Sequence, residues 1–482
     1  MSEVHREPDT GASVGGPVTV YVPCDSAARS VGADQVAERI AEAAGPRARV
    51  VRNGSRGMLW LEPLVEVATP AGRVAYGPVT PHDVDDLLDA GLLDGAAHPL
   101  CLGPTEEIAW LRDQTRVTFA RVGVIDPVSL DDYAAHGGLA GLRRALSLTP
   151  EQVVAEVTDS GLRGRGGAGF PAGIKWKTVL GAESELKFVC CNADEGDSGT
   201  FADRMLMEGD PFTLIEGMTI AAWAVGASEG YVYIRSEYPD AVAAMRTAID
   251  VAYARGWLGK RVLDHDFSFD LFVRVGGGAY ICGEETSMLE SLEGKRGMVR
   301  AKPPIPALEG LFGKPTVVNN VLTLGSVPMI LADGAQAFAD LGTAARAAPR
   351  SSSSAATSPA AASWRPRSAS PSASWWRATA AAPARAGRCG PYRSAGRSAP
   401  TCRRPGSSCP WTTRRSPRRA RWWVTAAWWC STTPWTWRGR PGSPWSSVPP
   451  SRAASARRAG SARCAGSRSS TGSSRARTAA PT

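Results

Sequence analysis

The feature that most constrains this 482-residue chain is a break in composition at Thr343. From there to Thr482 the sequence holds 25 Arg and no Lys, Asp or Glu. It also lacks Leu, Ile, Phe, Met, His, Asn and Gln, and its only Val are Val424 and Val448. A segment without large aliphatic side chains cannot bury enough apolar surface to offset its ordering entropy, so residues 343–482 are expected to be a disordered, basic, low-complexity tail. Removing the tail reverses the charge. The whole chain is +9, but residues 1–342 carry 30 basic against 46 acidic side chains, a net of −16. The acidic body is long enough for two domains.

No run of about 18 apolar residues occurs, and the N-terminus MSEVHREPDT lacks an apolar signal core. Neither a membrane span nor secretion is expected, and a cytoplasmic location follows. The 10 Cys form no CxxC pair. Neither a disulfide framework nor a zinc or iron–sulfur site is visible from spacing. Cys190 and Cys191 lie in an apolar run and read as small core residues.

Residues 1–17 are polar and Gly-rich, without periodicity, and are expected to be disordered. Residues 18–120 then read as a small α/β domain. VTVYV, ARVVRNG and MLWLEPLVEVATPAGRVAYGP have strand patterns, while ADQVAERIAEAA and TPHDVDDLLDAGLL have helical ones. Residues 121–342 form a second α/β region. Strands at KFVCCN, GYVYIR and FDLFVRV alternate with helical segments, which predicts a largely parallel sheet with ligands at the strand C-termini.

Four constellations stand where chemistry is expected. In GLRGRGGAGFPAGIKW, residues Gly164, Gly166 and Gly169 fit G-x-G-x-x-G, although a helix precedes the loop where a dinucleotide fingerprint needs a strand. The glycine density, with Gly167 and the cations Arg163, Arg165 and Lys175, suits backbone approach to a flat ring or a pyrophosphate; a surface turn is the other reading. In CNADEGDSGTFADR, Asn192, Asp194, Glu195 and Asp197 follow a strand and form either a site or a solvated turn. In RVGGGAYICGEETSM, Glu284 and Glu285 open a helix, so capping competes with a binding role, whereas Gly276–Gly278 implies packing against bare backbone. In PTVVNNVLTL, Asn319 and Asn320 either cap a helix or hold a phosphate and ring edge.

With AKPPIP, these runs resemble the NADH- and FMN-binding, 51-kilodalton-type flavoprotein subunit of respiratory complex I. That family includes the diaphorase subunit of NAD-reducing hydrogenases and the beta subunit of molybdenum, NAD-dependent formate dehydrogenases. YVPCDSAARSVGADQVAERI and RNGSRGMLWLEPLVEV look closest to the formate dehydrogenase form. The resemblance implies a thioredoxin-like domain at 18–120, clusterless because only Cys24 and Cys101 are available, and a Rossmann-like FMN/NADH-binding domain at 121–342. It places the flavin against Gly164, Arg165 and Gly166, with Lys175, Asn192, Asp194, Tyr280, Gly283, Glu284, Asn319 and Asn320 around it. NADH is expected against Gly166, Gly167 and Phe170, with Glu195 and Glu285 nearby and Lys302 at the outer end, and Gly169 and Asp197 are counted among the cofactor-binding residues.

Asp197 stands where complex I members usually have Glu, and Thr178 where they often have Phe. The implied activity is hydride transfer between NAD(H) and FMN, with no side chain acting as acid or base. Glu195, Asp197 and Glu285 are expected to repel a 2′-phosphate and favour NADH over NADPH. The implied partners are a two-iron thioredoxin-like subunit and an iron–sulfur and molybdenum subunit of a multi-subunit dehydrogenase. In the family the first electron acceptor is a four-iron cluster on a C-terminal CxxCxxC and a later Cys; these ligands are missing here.

The tail admits two readings. One is a basic, Trp-rich extension that grips nucleic acid through phosphates. The other is translation out of frame. The family's cluster motif ESCGKCTPCRIGS, written in GC-rich codons and read one nucleotide late, becomes SRAASARRAGSAR, the string at Ser451–Arg463. A GHGGVVVFDDTVDM-like stretch treated likewise becomes VTAAWWCSTTPWTW, found at Val424–Trp437. The out-of-frame reading is therefore adopted, with a frameshift near Thr343 and no nucleic-acid partner.

Overall fold

The computed structural model describes residues 16–197 and 199–341. The expectations for residues 1–15 and 343–482 fall outside them.

In the first domain, Val20 of β1 (Val18–Tyr21) is fully buried. Helix α1 (Ala33–Ala44) turns Val36, Ala37, Ile40 and Ala44 inward, a spacing that puts one apolar stripe against the sheet. The chain returns through β2 (Ala48–Val51), parallel to β1. An antiparallel hairpin follows, β3 (Val65–Thr69) and β4 (Gly72–Tyr76), pairing Thr69 with Gly72 across two turn residues. Helix α2 (Val84–Asp89) and β5 (Cys101–Pro104) complete the domain. The strand order is β2-β1-β3-β4-β5. A parallel βαβ unit continued by an antiparallel hairpin is the thioredoxin-like arrangement. Two details differ from the sequence reading: Leu59–Leu61 is a single tight helical turn rather than strand, and β5 was not foreseen. Glu62 accounts for the first. Its carboxyl accepts from Ser55 and the Leu64 amide, folding the chain back on itself instead of letting it extend.

The second domain opens with helices α3 (Leu130–Ala135), α4 (Ala140–Ser147), α5 (Pro150–Asp159) and α6 (Ala172–Gly181). A parallel sheet follows: β6 (Phe188–Ala193), β7 (Glu229–Ile234), β8 (Asp270–Val275) and β9 (Thr316–Asn320). The connecting and closing helices are α7 (Ala202–Gly209), α8 (Pro211–Val225), α9 (Pro239–Ala254), α10 (Glu285–Leu292) and α11 (Val321–Gly325). The order β8-β7-β6-β9 means that the chain starts in the middle, moves outward twice, and returns to the opposite side of β6. That reversal opens a crevice at the C-terminal ends of β6 and β9.

Apolar on all faces, α8 is the buried axle of the domain, as a helix hydrophobic all round must be. A Cβ on its Gly217 would stand 2.1 Å from the Leu324 carbonyl oxygen, so only glycine permits this contact. Its one buried acid, Glu216, accepts from Tyr133 and from the Leu139 and Leu142 amides, satisfying donors at the start of α4. The domains meet through Asn53 to the Gly123 carbonyl at 2.7 Å, Arg73 to the Val124 carbonyl at 2.7 Å, and the Ser26 amide to Glu208 at 2.8 Å.

Candidate flavin and nucleotide site

Parallel pairing of β6 with β9 sets Cys191 beside Asn319 and Asn192 beside Asn320, so two motifs more than a hundred residues apart meet at the switch point. Cys190 and Cys191 are fully buried, and burial pushes both thiols well up, in keeping with their reading as core residues. Asn319 is committed inward, its Oδ1 accepting from the Trp176 indole at 2.9 Å. Asn320 caps α11 by accepting from the Leu322 amide, and donates to Asp203 at 2.6 Å. The helix-capping alternative therefore holds for Asn320.

The glycine-rich loop hangs beside this pair. Its ends are pinned where the Gly164 amide donates to the Phe170 carbonyl at 2.8 Å and the Ala172 amide to Leu162 at 2.9 Å. Its tip is anchored where the Arg165 amide donates to Thr323 Oγ1 at 2.9 Å. A Cβ on Gly166 would lie 3.3 Å from Asn320 Cβ, so loop and strand end are in near contact. Gly167 and Gly169 have φ of +102° and +64°, conformations that favour glycine, and nothing stands within 4 Å of where their side chains would be. Phe170 is exposed. The helix α5 that precedes the loop rules out the ordinary dinucleotide fingerprint, as the sequence indicated.

Lys175, on the first turns of α6, donates to Glu285 at 2.8 Å and to the Val318 carbonyl at 3.2 Å. Lys302 bridges Glu284 and Glu285 at 2.9 and 2.8 Å. Glu284 also accepts from the Thr286 and Ser287 amides and so caps α10. Burial works against both carboxylates, yet the lysines and amides outweigh it and hold them below the usual range. The capping alternative therefore holds for Glu284.

Beyond β6, Asn192 donates to the Gly283 carbonyl at 2.9 Å and ties the strand end to the turn before α10. Asp194 is buried, and no donor among the described residues reaches its carboxylate. Desolvation pushes it up to about 6, partly opposed by Arg235. Glu195, at φ +38°, turns its carboxylate to the Asp203 and Arg204 amides at 2.9 and 3.2 Å, capping α7. Asp197 accepts from the exposed Tyr280 at 2.7 Å. Of the glycine triplet, Gly276 is required by the Tyr233 ring, 2.8 Å from a Cβ there, whereas Gly277 faces open space.

The charge reading of the sequence therefore changes. Three carboxylates were expected to act together on a 2′-phosphate, but Glu195 is spent on a helix terminus and Glu285 lies between two lysines. Only Asp197 remains exposed. Sequence reasoning also missed Thr323, Trp176, Asp203 and Arg235, whose Nη1 donates to the Glu195 carbonyl at 2.7 Å. Thr323 was legible in principle, three residues beyond Asn320 in the first turn of the helix that Asn320 caps. The others depend on contacts across the fold.

Bare backbone at Gly167, Gly169 and Gly277, a buried carboxylate without a donor among the described residues, and ammonium groups in the same crevice suit a flat heterocycle with a hydroxylated, phosphorylated tail. A parallel α/β domain with these groups at its switch point is a flavin- or nucleotide-binding domain. Residues 157–329 match the family model described as the Nuo51 FMN-binding domain. The NADP-reducing hydrogenase subunit HndC of Solidesulfovibrio fructosivorans is 49% identical over 233 residues, 48% of this chain and 47% of that one. An F-type subunit of the NADH-quinone oxidoreductase of Rhizobium meliloti is 52% identical, covering 47% of this chain and 54% of that one. A crystal structure of an NAD+-reducing nickel–iron hydrogenase in the H2-reduced state aligns with TM-score 0.42 and 30% identity over 69% of this chain and 56% of that one. The chain spans about half the length of the curated relatives it matches. Among the described residues no helix is long and apolar enough to cross a membrane.

Proposed function

We propose that this chain is an oxidoreductase subunit that passes hydride between NAD(H) and FMN and exchanges electrons with iron–sulfur centres of partner subunits. The observation that carries the reading is the convergence of the 164–170 loop, the 192–197 strand end, the 280–285 turn and the 319–320 pair on one crevice. FMN held there supplies hydride exchange with nicotinamide and release of electrons one at a time. The chain's own residues bind and orient. The loop backbone admits close ring contact and excludes water. Lys175 and Arg165 bring positive charge to the ring or phosphate, a preorganised electrostatic contribution. Asp194 and Asn192 offer acceptors and donors to the tail. Phe170 presents an open face to a nucleotide base, and the Asp197–Tyr280 pair borders the same mouth. Preference for NADH over NADPH rests on Asp197, narrower support than three carboxylates.

The preferred assembly is a cytoplasmic NAD-dependent formate dehydrogenase with iron–sulfur and molybdenum subunits. Its support is the likeness of the first domain to that form. Complex I and hydrogenase assemblies are the alternatives, favoured by the names of the relatives. Within the first domain, β3 and β4 separate β1 from β5, so Cys24, just past β1, and Cys101, on β5, lie roughly 14 Å apart laterally at the usual strand spacing, too far for one cluster shell. We attribute residues 343–482 to the frameshift, which removes the family's cluster-bearing module and leaves electrons without a built-in exit. Resequencing the codons for Leu341 to Arg346 tests that attribution. The functional reading is tested by purifying the frame-restored protein, measuring bound flavin by absorbance, and adding NADH anaerobically. Bleaching of a bound flavin is expected; a protein that stays colourless after reconstitution rejects the reading.

A further inference from the structure

Helix α7 is two turns long and touches both the crevice and the other domain. At its start, the Asp203 and Arg204 amides are held by the Glu195 carboxylate, and Asp203 holds Asn320. At its end, Glu208 is buried and accepts from the Ser26 amide at 2.8 Å and the Ser26 hydroxyl at 3.0 Å, both on the first domain. The contact is close: a Cβ on Gly54 would lie 2.7 Å from Gly209 Cα. The far end of α7 cannot shift without moving the first domain, and its near end cannot shift without moving Glu195. Resting on the nucleotide-site reading above, we propose that the thioredoxin-like domain acts as a brace, with Glu208 the positioning residue that sets Glu195 and the nucleotide mouth through α7.

The groups facing Glu208 are Asp25 and Cys24 from the first domain and Arg204 from its own helix, the last at 4.0 Å; Glu62 in turn faces Asp25. Desolvation, with Asp25 adding repulsion, pushes Glu208 up to about 7. The docked joint therefore favours the protonated acid, and raising the pH through 7 loosens the brace.

The test uses the full-length chain reconstituted with FMN, comparing the parent with Glu208→Ala, Glu208→Gln and Ser26→Ala. Glu208→Ala is expected to raise KM for NADH about fivefold or more, with kcat for an artificial acceptor and flavin content within twofold of the parent. Glu208→Gln, which keeps an acceptor for Ser26, is expected to restore KM. Ser26→Ala, which keeps the backbone donor, is expected to fall between them. The parent's KM should rise above pH 7 and that of Glu208→Gln should stay flat. Hydrogen exchange at the Asp203 and Arg204 amides, measured without nucleotide, should accelerate in Glu208→Ala. An unchanged KM and exchange rate in Glu208→Ala overturns the brace, as does a joint fall of kcat and flavin content that Gln does not rescue. If exchange accelerates but the parent is not reduced by NADH, the brace stands and the nucleotide reading fails.

Discussion

The crevice and the joint between the domains bury similar acids to opposite effect. In the crevice, Glu284 and Glu285 share Lys175 and Lys302 and are held below the ordinary carboxylate range. At the joint, Glu62 and Glu208 each face Asp25 with little positive charge in contact, and burial raises all three. Desolvation is the largest influence in both places, so the lysines make the difference. The acids of the crevice are given cations; those at the joint are left to take up protons.

Charge reversal at Lys175 should break the contrast most severely. Lys175→Glu puts a third acid beside Glu284 and Glu285, recreating the joint inside the crevice, and flavin affinity in a fluorescence titration should fall by more than about a thousandfold. The joint offers the next largest effect. A carboxyl whose folded pKa is raised contributes stability that is complete below its unfolded value and is lost as pH rises through the folded one. With Glu208 at about 7 and Glu62 at about 8, melting temperature should decline between roughly pH 4.5 and 8. The Glu208 share is up to roughly 3 kcal/mol, and Glu208→Gln should flatten that part of the profile in calorimetry. Glu284 and Glu285 behave oppositely: their contribution is complete above about pH 4.5 and lost under acid as the lowered pKa values are crossed.

A smaller effect concerns the nucleotide. With Asp197 the only exposed acid of the expected three, kcat/KM for NADH should exceed that for NADPH by about tenfold, a single interaction's worth. Asp197→Asn should narrow the ratio; a parent that prefers NADPH ends this proposal. Smallest is Tyr280→Phe. It deletes one exposed hydrogen bond to Asp197 and should alter KM for NADH by no more than about threefold in steady-state assays.

Local pattern alone carried much of the architecture. The residues of α1 were read from the repeat of apolar positions, and β6, β7 and β8 from short apolar runs bounded by turns, because burial of one stripe or one face imposes those periods directly. Composition alone separated body from tail. The motifs named most of the polar groups around the crevice, since glycine runs and paired amides are costly anywhere else.

What those groups do to one another was decided in three dimensions. Register between β6 and β9 brought Asn192 beside Asn320, and α7 drew Glu195 away to its own terminus. Two lysines far apart in sequence closed on Glu285. Sequence specifies which side chains can be charged, but charge state and direction depend on what is packed nearby, and that is set by contacts between residues many positions apart.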